Sequence, residues 1–148
     1  SNLDFFFFFF RQMRGLASCI EFGANIGMNL RALKLLLLCL LQYGIEINPE
    51  AARQLGEVVG PANVMQQSIL DYQPSRTFDL VLIKGVLIHI NPDVLPDVYD
   101  RLVQSTGKYL LVGEYYNPAP VAINYRGHSD RLFKRDFAGE IMESHPNM

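Results

Sequence analysis

The sequence predicts an open, doubly wound α/β sheet of mainly parallel strands. Three observations predict it. Short apolar runs alternate along the chain with segments of helix-forming composition. One of those runs, Phe78-Asp79-Leu80-Val81-Leu82-Ile83, is almost continuous, as a strand buried on both faces would be. A glycine turn separates the first run from the first helical segment. Parallel strands joined by helices require right-handed crossovers, and such sheets bind ligands at the carboxyl ends of their strands.

Residues 17–22 form the first expected strand, Gly23-Ala24-Asn25-Ile26-Gly27 the turn, and residues 28–40 the helix that follows. Residues 43–47 read as the second strand. Asn48-Pro49-Glu50 then starts a helix, with Asn as N-cap and Pro at the first helical position, and Gly60-Pro61 stops it. A third strand is expected over residues 63–67 and a fourth over residues 78–83. Asn91-Pro92-Asp93 repeats the helix-start chemistry, after which Val94, Val98, Leu102 and Val103 recur at helical spacing. Residues 109–112 supply a fifth strand, and a last helix begins near Asp136.

At 148 residues the chain has one domain's worth of sequence, and 49% hydrophobic and 19% charged residues suit a single packed core rather than a disordered chain. A net charge of −2 offers no basic footprint for nucleic acid, so small-molecule partners are expected. Cys19 and Cys39 read as buried thiols of a reducing compartment. His89, His128 and His145 are scattered, and no metal site is expected. The leucine-rich run at residues 35–41 is too short for a bilayer, which takes about 20 apolar residues, and reads as a core helix leading toward a strand. Residues 5–10 are all phenylalanine, an aggregation hazard wherever they are exposed. With no signal-peptide pattern at the start, a cytoplasmic location and no membrane association are the expectation.

The candidate site residues follow the strands. Gly23 and Gly27 let the backbone turn tightly beside a ligand, and Asn25, where a further glycine often sits, is a residue type that tolerates a left-handed backbone. Glu46, with Ile47, ends the second strand 19 positions after Gly27, where a carboxylate can accept from both hydroxyls of a ribose. Glu21, inside an apolar strand, needs a partner such as a ligand amine or loop N–H groups. After the third strand, Ser68, Ile69 and Asp71 stand where such folds meet a base. After the fourth, Lys84 and His89 stand near the reaction site, and His89 is either a general base or a structural histidine. Tyr115, Tyr116, Asn117, Tyr125, Arg126 and His128 follow the fifth strand and suit a polar, carboxylate-bearing substrate, with Tyr115 a second candidate for proton transfer.

Taken together, residues 21–30, 43–48, 84–92 and 115–118 resemble the methyltransferases associated with pseudaminic acid biosynthesis, a class I S-adenosylmethionine-dependent family, over about residues 19–137. The resemblance implies a Rossmann-like domain at residues 17–148, preceded by an N-terminal segment at residues 1–16. It implies bound S-adenosylmethionine, converted to S-adenosylhomocysteine, with Gly23 and Gly27 at the methionine end, Glu46 on the ribose and Asp71 near adenine. An amino-sugar or nucleotide-linked-sugar acceptor of nonulosonic acid or surface-sugar metabolism is implied as well. Class I methyltransferases usually finish the sheet with a hairpin of two further strands, and this chain is expected to lack it, as a fragment, through an incomplete sequence, or with another subunit covering the edge. Two other functions fit the same loops: an NAD(P)-dependent oxidoreductase, and a non-catalytic methyltransferase-like binding domain.

Overall fold

Strand β1 (Ser18–Phe22) is buried at all five positions, because both faces of the sheet are covered in the computed structural model. The structure describes residue 13, residues 15–125 and residues 130–148. The phenylalanine run lies outside the described residues, as does almost all of the N-terminal segment. The elements that follow are α1 (Met28–Leu36), β2 (Leu41–Ile45), α2 (Pro49–Val59), β3 (Val64–Met65), β4 (Phe78–Lys84), α3 (Leu95–Ser105), β5 (Thr106–Gly113), β6 (Val121–Tyr125), β7 (Asp130–Lys134) and α4 (Phe137–Ser144).

Five strands make one parallel sheet in the order β3-β2-β1-β4-β5. The chain winds outward from β1 through α1 and α2 to β3, then returns to β4 beside β1 and winds the other way through α3 to β5. Alternate side chains of each strand therefore serve two cores. Ile20, Phe22, Val81 and Ile83 pack with Val98 and Leu102 of α3 and Phe137 and Ile141 of α4. Cys19, Leu80 and Leu82 pack on the other face with Leu30 and Leu33 of α1 and Leu55 and Val58 of α2. The winding reverses between β1 and β4, which leaves a crevice at their carboxyl ends.

The helix starts follow local chemistry. Asn48 Oδ1 accepts from the Glu50 and Ala51 N–H groups, at 3.0 Å each, and Pro49 occupies the first turn, where it has no bond to lose. Asn48→Ala is expected to destabilise the fold by about 1 kcal/mol. A urea-denaturation midpoint unchanged from wild type would remove the cap from the account. The second Asn-Pro start is displaced: Asn91 caps a short 3-10 turn (Pro92–Val94), and α3 begins only at Leu95.

Several boundaries differ from the sequence expectation. The first helix ends at Leu36 rather than near residue 40, and β2 begins at Leu41 rather than at residue 43. The leucine-rich run is thus no core helix: Leu35 and Leu38 are 67% and 82% exposed, and the run turns to feed β2. Cys39 sits in that turn and is exposed, whereas Cys19 is buried as expected. Burial pushes the Cys19 thiol up to about 12, helped by the neighbouring Glu21 carboxylate. Contrary to the expectation that the closing hairpin is missing, a short one is present. β6 and β7 pair antiparallel as a separate two-stranded sheet. β7 leans on the turn after β4, and Leu132 packs against the α3-side core. Among the described residues nothing pairs with the outer edge of β5. No helix of the described residues is long and apolar enough to cross a membrane.

Candidate functional site

The β1–α1 turn holds three left-handed residues within five positions: Gly23 (φ +71°), Asn25 (φ +52°) and Gly27 (φ +82°). Asn25 is the one non-glycine with positive φ among the described residues. The turn is fixed from the neighbouring strand, since the Ala24 N–H donates to the Ile45 carbonyl at 2.9 Å. The Asn25 N–H donates to Glu46 Oε2 at 2.8 Å, and Glu46 Oε1 accepts from the Asn48 N–H at the same distance. Two backbone bonds thus aim the Glu46 carboxylate. A carboxylate has about four acceptor positions, so two remain open to a ligand.

Beneath the turn lies Glu21, only 1% exposed. Its Oε1 accepts from Asn29 Nδ2 at 2.6 Å, while Glu21 Oε2 and Asn29 Oδ1 are buried without a hydrogen-bond partner. Burial pushes the Glu21 carboxyl up to about 8; the Asn29 bond and the charge of Lys84 pull the other way, and Glu46 adds to the rise. The consequence for stability has a definite sign. Below about pH 4.5 both folded and unfolded chains carry the proton; between about 4.5 and 8 the unfolded chain loses it first, so stability falls as pH rises through that window. Glu21→Gln removes the ionisation. Melting temperature should therefore decline more steeply from pH 5 to 8 in the wild type than in E21Q, and equal slopes would show that Glu21 is not held protonated.

Across the crevice, the chain leaving β4 turns sharply through Gly85 (φ +68°) into a 3-10 turn (Leu87–His89). The Gly85 N–H closes the β4–β5 ladder on the Gly113 carbonyl at 3.0 Å. Glu114, which directly follows β5, accepts from the Val86 and Leu87 N–H groups through Oε1, at 2.8 and 3.0 Å. Val86 packs tightly on the glycine turn opposite: a Cβ on Gly23 would lie 2.7 Å from Val86 Cγ2.

These segments enclose a cleft of about 560 Å³, within the usual range for small-molecule sites. Of the residues singled out from sequence, Gly23, Asn25, Glu46, Ile47, Lys84 and His89 line it, and Glu21 lies below it against Asn29. Gly27 is not at its surface; it lets α1 close on α2, where a Cβ would come 2.9 Å from Leu55 Cδ1. Ser68, Ile69 and Asp71 do not line the cleft. Ser68 Oγ accepts from the Leu70 N–H, Asp71 is exposed, and Ile69 is buried. Tyr116 instead lines a separate cavity of about 150 Å³ with Glu114 and Arg135. Tyr115 is 63% exposed, with Lys134 Nζ 5.3 Å from its ring centre, and the Asn117 N–H donates to the Arg135 carbonyl. Tyr125 ends β6; Arg126 and His128 lie outside the described residues. Asn29 and Glu114 escape a reading of the sequence. Asn29 carries one signal that could reveal it, as a polar residue at the start of a helix that must face the buried Glu21.

No protein-family model and no curated protein sequence matches the chain. Solved structures do. The chain is similar to an S-adenosylhomocysteine complex of DhpI, with a TM-score of 0.63 and 20% identity, covering 87% of this chain and 65% of that one. It is similar to the sugar N-methyltransferase KedS8 from Streptoalloteichus, with a TM-score of 0.66 and 16% identity over 85% of this chain and 56% of that one. An S-adenosylmethionine-dependent methyltransferase of Leishmania major gives a TM-score of 0.76 and 14% identity, covering 98% of this chain and 61% of that one. The chain thus spans somewhat under two thirds of each of these proteins. At these identities the likeness establishes the fold, which is the Rossmann-like fold of class I methyltransferases.

Proposed function

We propose that the chain is the cofactor-binding domain of an S-adenosylmethionine-dependent methyltransferase acting on a small polar acceptor. The observation that carries this reading is the cleft at the β1/β4 switch point, where the left-handed turn, the Glu46 carboxylate and the Lys84–His89 segment meet. The residues present fit such a ligand. Glu46 retains acceptor capacity for ribose hydroxyls at the mouth of the cleft. Glu21 Oε2 and Asn29 Oδ1, buried without a hydrogen-bond partner, leave two polar atoms below the turn for a ligand to satisfy. Fold neighbours whose names record S-adenosylhomocysteine or S-adenosylmethionine complexes support the same cofactor.

When bound, S-adenosylmethionine would supply an electrophilic methyl group, with S-adenosylhomocysteine as the thioether leaving group. The contribution of this chain is then mainly alignment and exclusion of water. Gly23, Glu46 and Ile47 hold one wall of the cleft, and Gly85, Val86, His89 and Ile90 the other. His89, exposed at that wall, is placed to take a proton from a hydroxyl or amine acceptor. Tyr115 is 63% exposed and does not line the cleft, so it is less suited to this role. An amino-sugar acceptor is favoured by the sequence resemblance and is in keeping with a sugar N-methyltransferase among the neighbours. Isothermal titration with S-adenosylhomocysteine tests the reading: saturable binding is expected, and absence of binding by folded protein, or preferential binding of NADH, would overturn it.

A further inference from the structure

We propose that Glu114 is a positioning residue of this cleft: through the two N–H bonds that it accepts, it fixes the turn that carries Val86 and His89. This rests on the methyltransferase reading for what the cleft binds.

The need arises from the backbone. The first N–H groups of a helical turn have no partner within it, and here those of Val86 and Leu87 emerge where β4 ends. The turn's own bonds begin later, with the His89 N–H donating to the Val86 carbonyl and the Ile90 N–H to the Leu87 carbonyl. No side chain of the turn caps it. The cap comes from the end of β5 instead, 28 residues beyond Val86, and extends the β4–β5 ladder one step past its last backbone bond at Gly85 and Gly113. Glu114 Oε2 is buried without a partner, so the carboxylate is kept from water for the bonds made by its other oxygen alone. Burial accordingly pushes its carboxyl up from the ordinary value, against the opposing pull of the turn's backbone N–H groups and the nearby His89.

The turn cannot shift without consequence. Val86 Cγ2 takes up the space that a Cβ on Gly23 would need, 2.7 Å from that position, so the two walls of the cleft meet there. Val86, His89 and Ile90 are all lining residues. A released turn would displace the face that meets the acceptor and loosen the opposing glycine turn.

Amide hydrogen exchange of the isotope-labelled chain, with titration of S-adenosylhomocysteine, tests this in wild type, Glu114→Ala and Glu114→Gln. The glutamine keeps an acceptor oxygen and guards against loss of the fold. In E114A the Val86 and Leu87 amides should exchange at least about tenfold faster than in wild type while β1 and β4 amides keep their protection. S-adenosylhomocysteine affinity should drop about tenfold in E114A and stay within about threefold of wild type in E114Q. Unchanged Val86 and Leu87 exchange in E114A, or equal affinity losses in E114A and E114Q with wild-type melting temperatures, would overturn the positioning role. The exchange measurement needs no ligand. Wild-type protein that protects these amides yet binds no S-adenosylhomocysteine would instead overturn the methyltransferase reading.

Discussion

Glu46→Ala is expected to weaken S-adenosylhomocysteine binding by about 30- to 150-fold. That magnitude follows from losing hydrogen bonds to a charged acceptor, worth about 2–3 kcal/mol in total. Two effects combine. The ribose hydroxyls lose their acceptor, and the Asn25 N–H loses the bond that holds the left-handed residue of the turn toward β2. Stability should change little, because both backbone bonds to Glu46 lie at the exposed mouth of the cleft, where water can replace the carboxylate. Calorimetric titration of E46A, beside the exposed control Glu143→Ala, measures the effect. Affinity within about threefold of wild type would mean that Glu46 only braces the loop.

Gly27→Ala should cost about 2–5 kcal/mol of stability. A left-handed backbone with a Cβ costs about 1–2 kcal/mol. The new methyl would also lie 2.9 Å from Leu55 Cδ1 and 3.2 Å from Val58 Cγ2, side chains already packed in the α1/α2 core, and overpacking adds about 1–3 kcal/mol. Gly85→Ala separates the two contributions, since Gly85 is also left-handed but nothing stands within 4 Å of the place its new methyl would take. In thermal melts G27A should lose roughly 5–15 °C and G85A clearly less. A larger loss in G85A would refute the packing argument.

The strands and helix starts that are legible in the sequence are those governed by local rules. The apolar run of β4 reads as a strand because both of its faces are buried, and Asn48 announces α2 because its side chain serves the two N–H groups that follow it. The end of α1 is not legible. Leu37 closes the helix without glycine, proline or asparagine, in a run of leucines that would suit continued helix equally well; tertiary pairing of Leu41 with Ser18 decides the boundary. The β6–β7 hairpin escapes notice because Val121 and Ile123, apolar positions of β6, are 40% and 41% exposed, so the alternation that marks a half-buried strand is faint.

The site divides in the same way. Its glycine turn and strand-end acid are visible in sequence because steric freedom at Gly23 and a carboxylate at Glu46 are properties of single residues at a short spacing. Local residue chemistry thus accounts for the alternation of strands and helices, the left-handed turn and the acid that faces it. Tertiary packing settles what meets across the crevice: Val86 takes the space beside Gly23, and Glu114 caps a turn far behind it in the chain. Such pairings depend on sheet order and on contacts between residues distant in sequence, and no local pattern of residues encodes them.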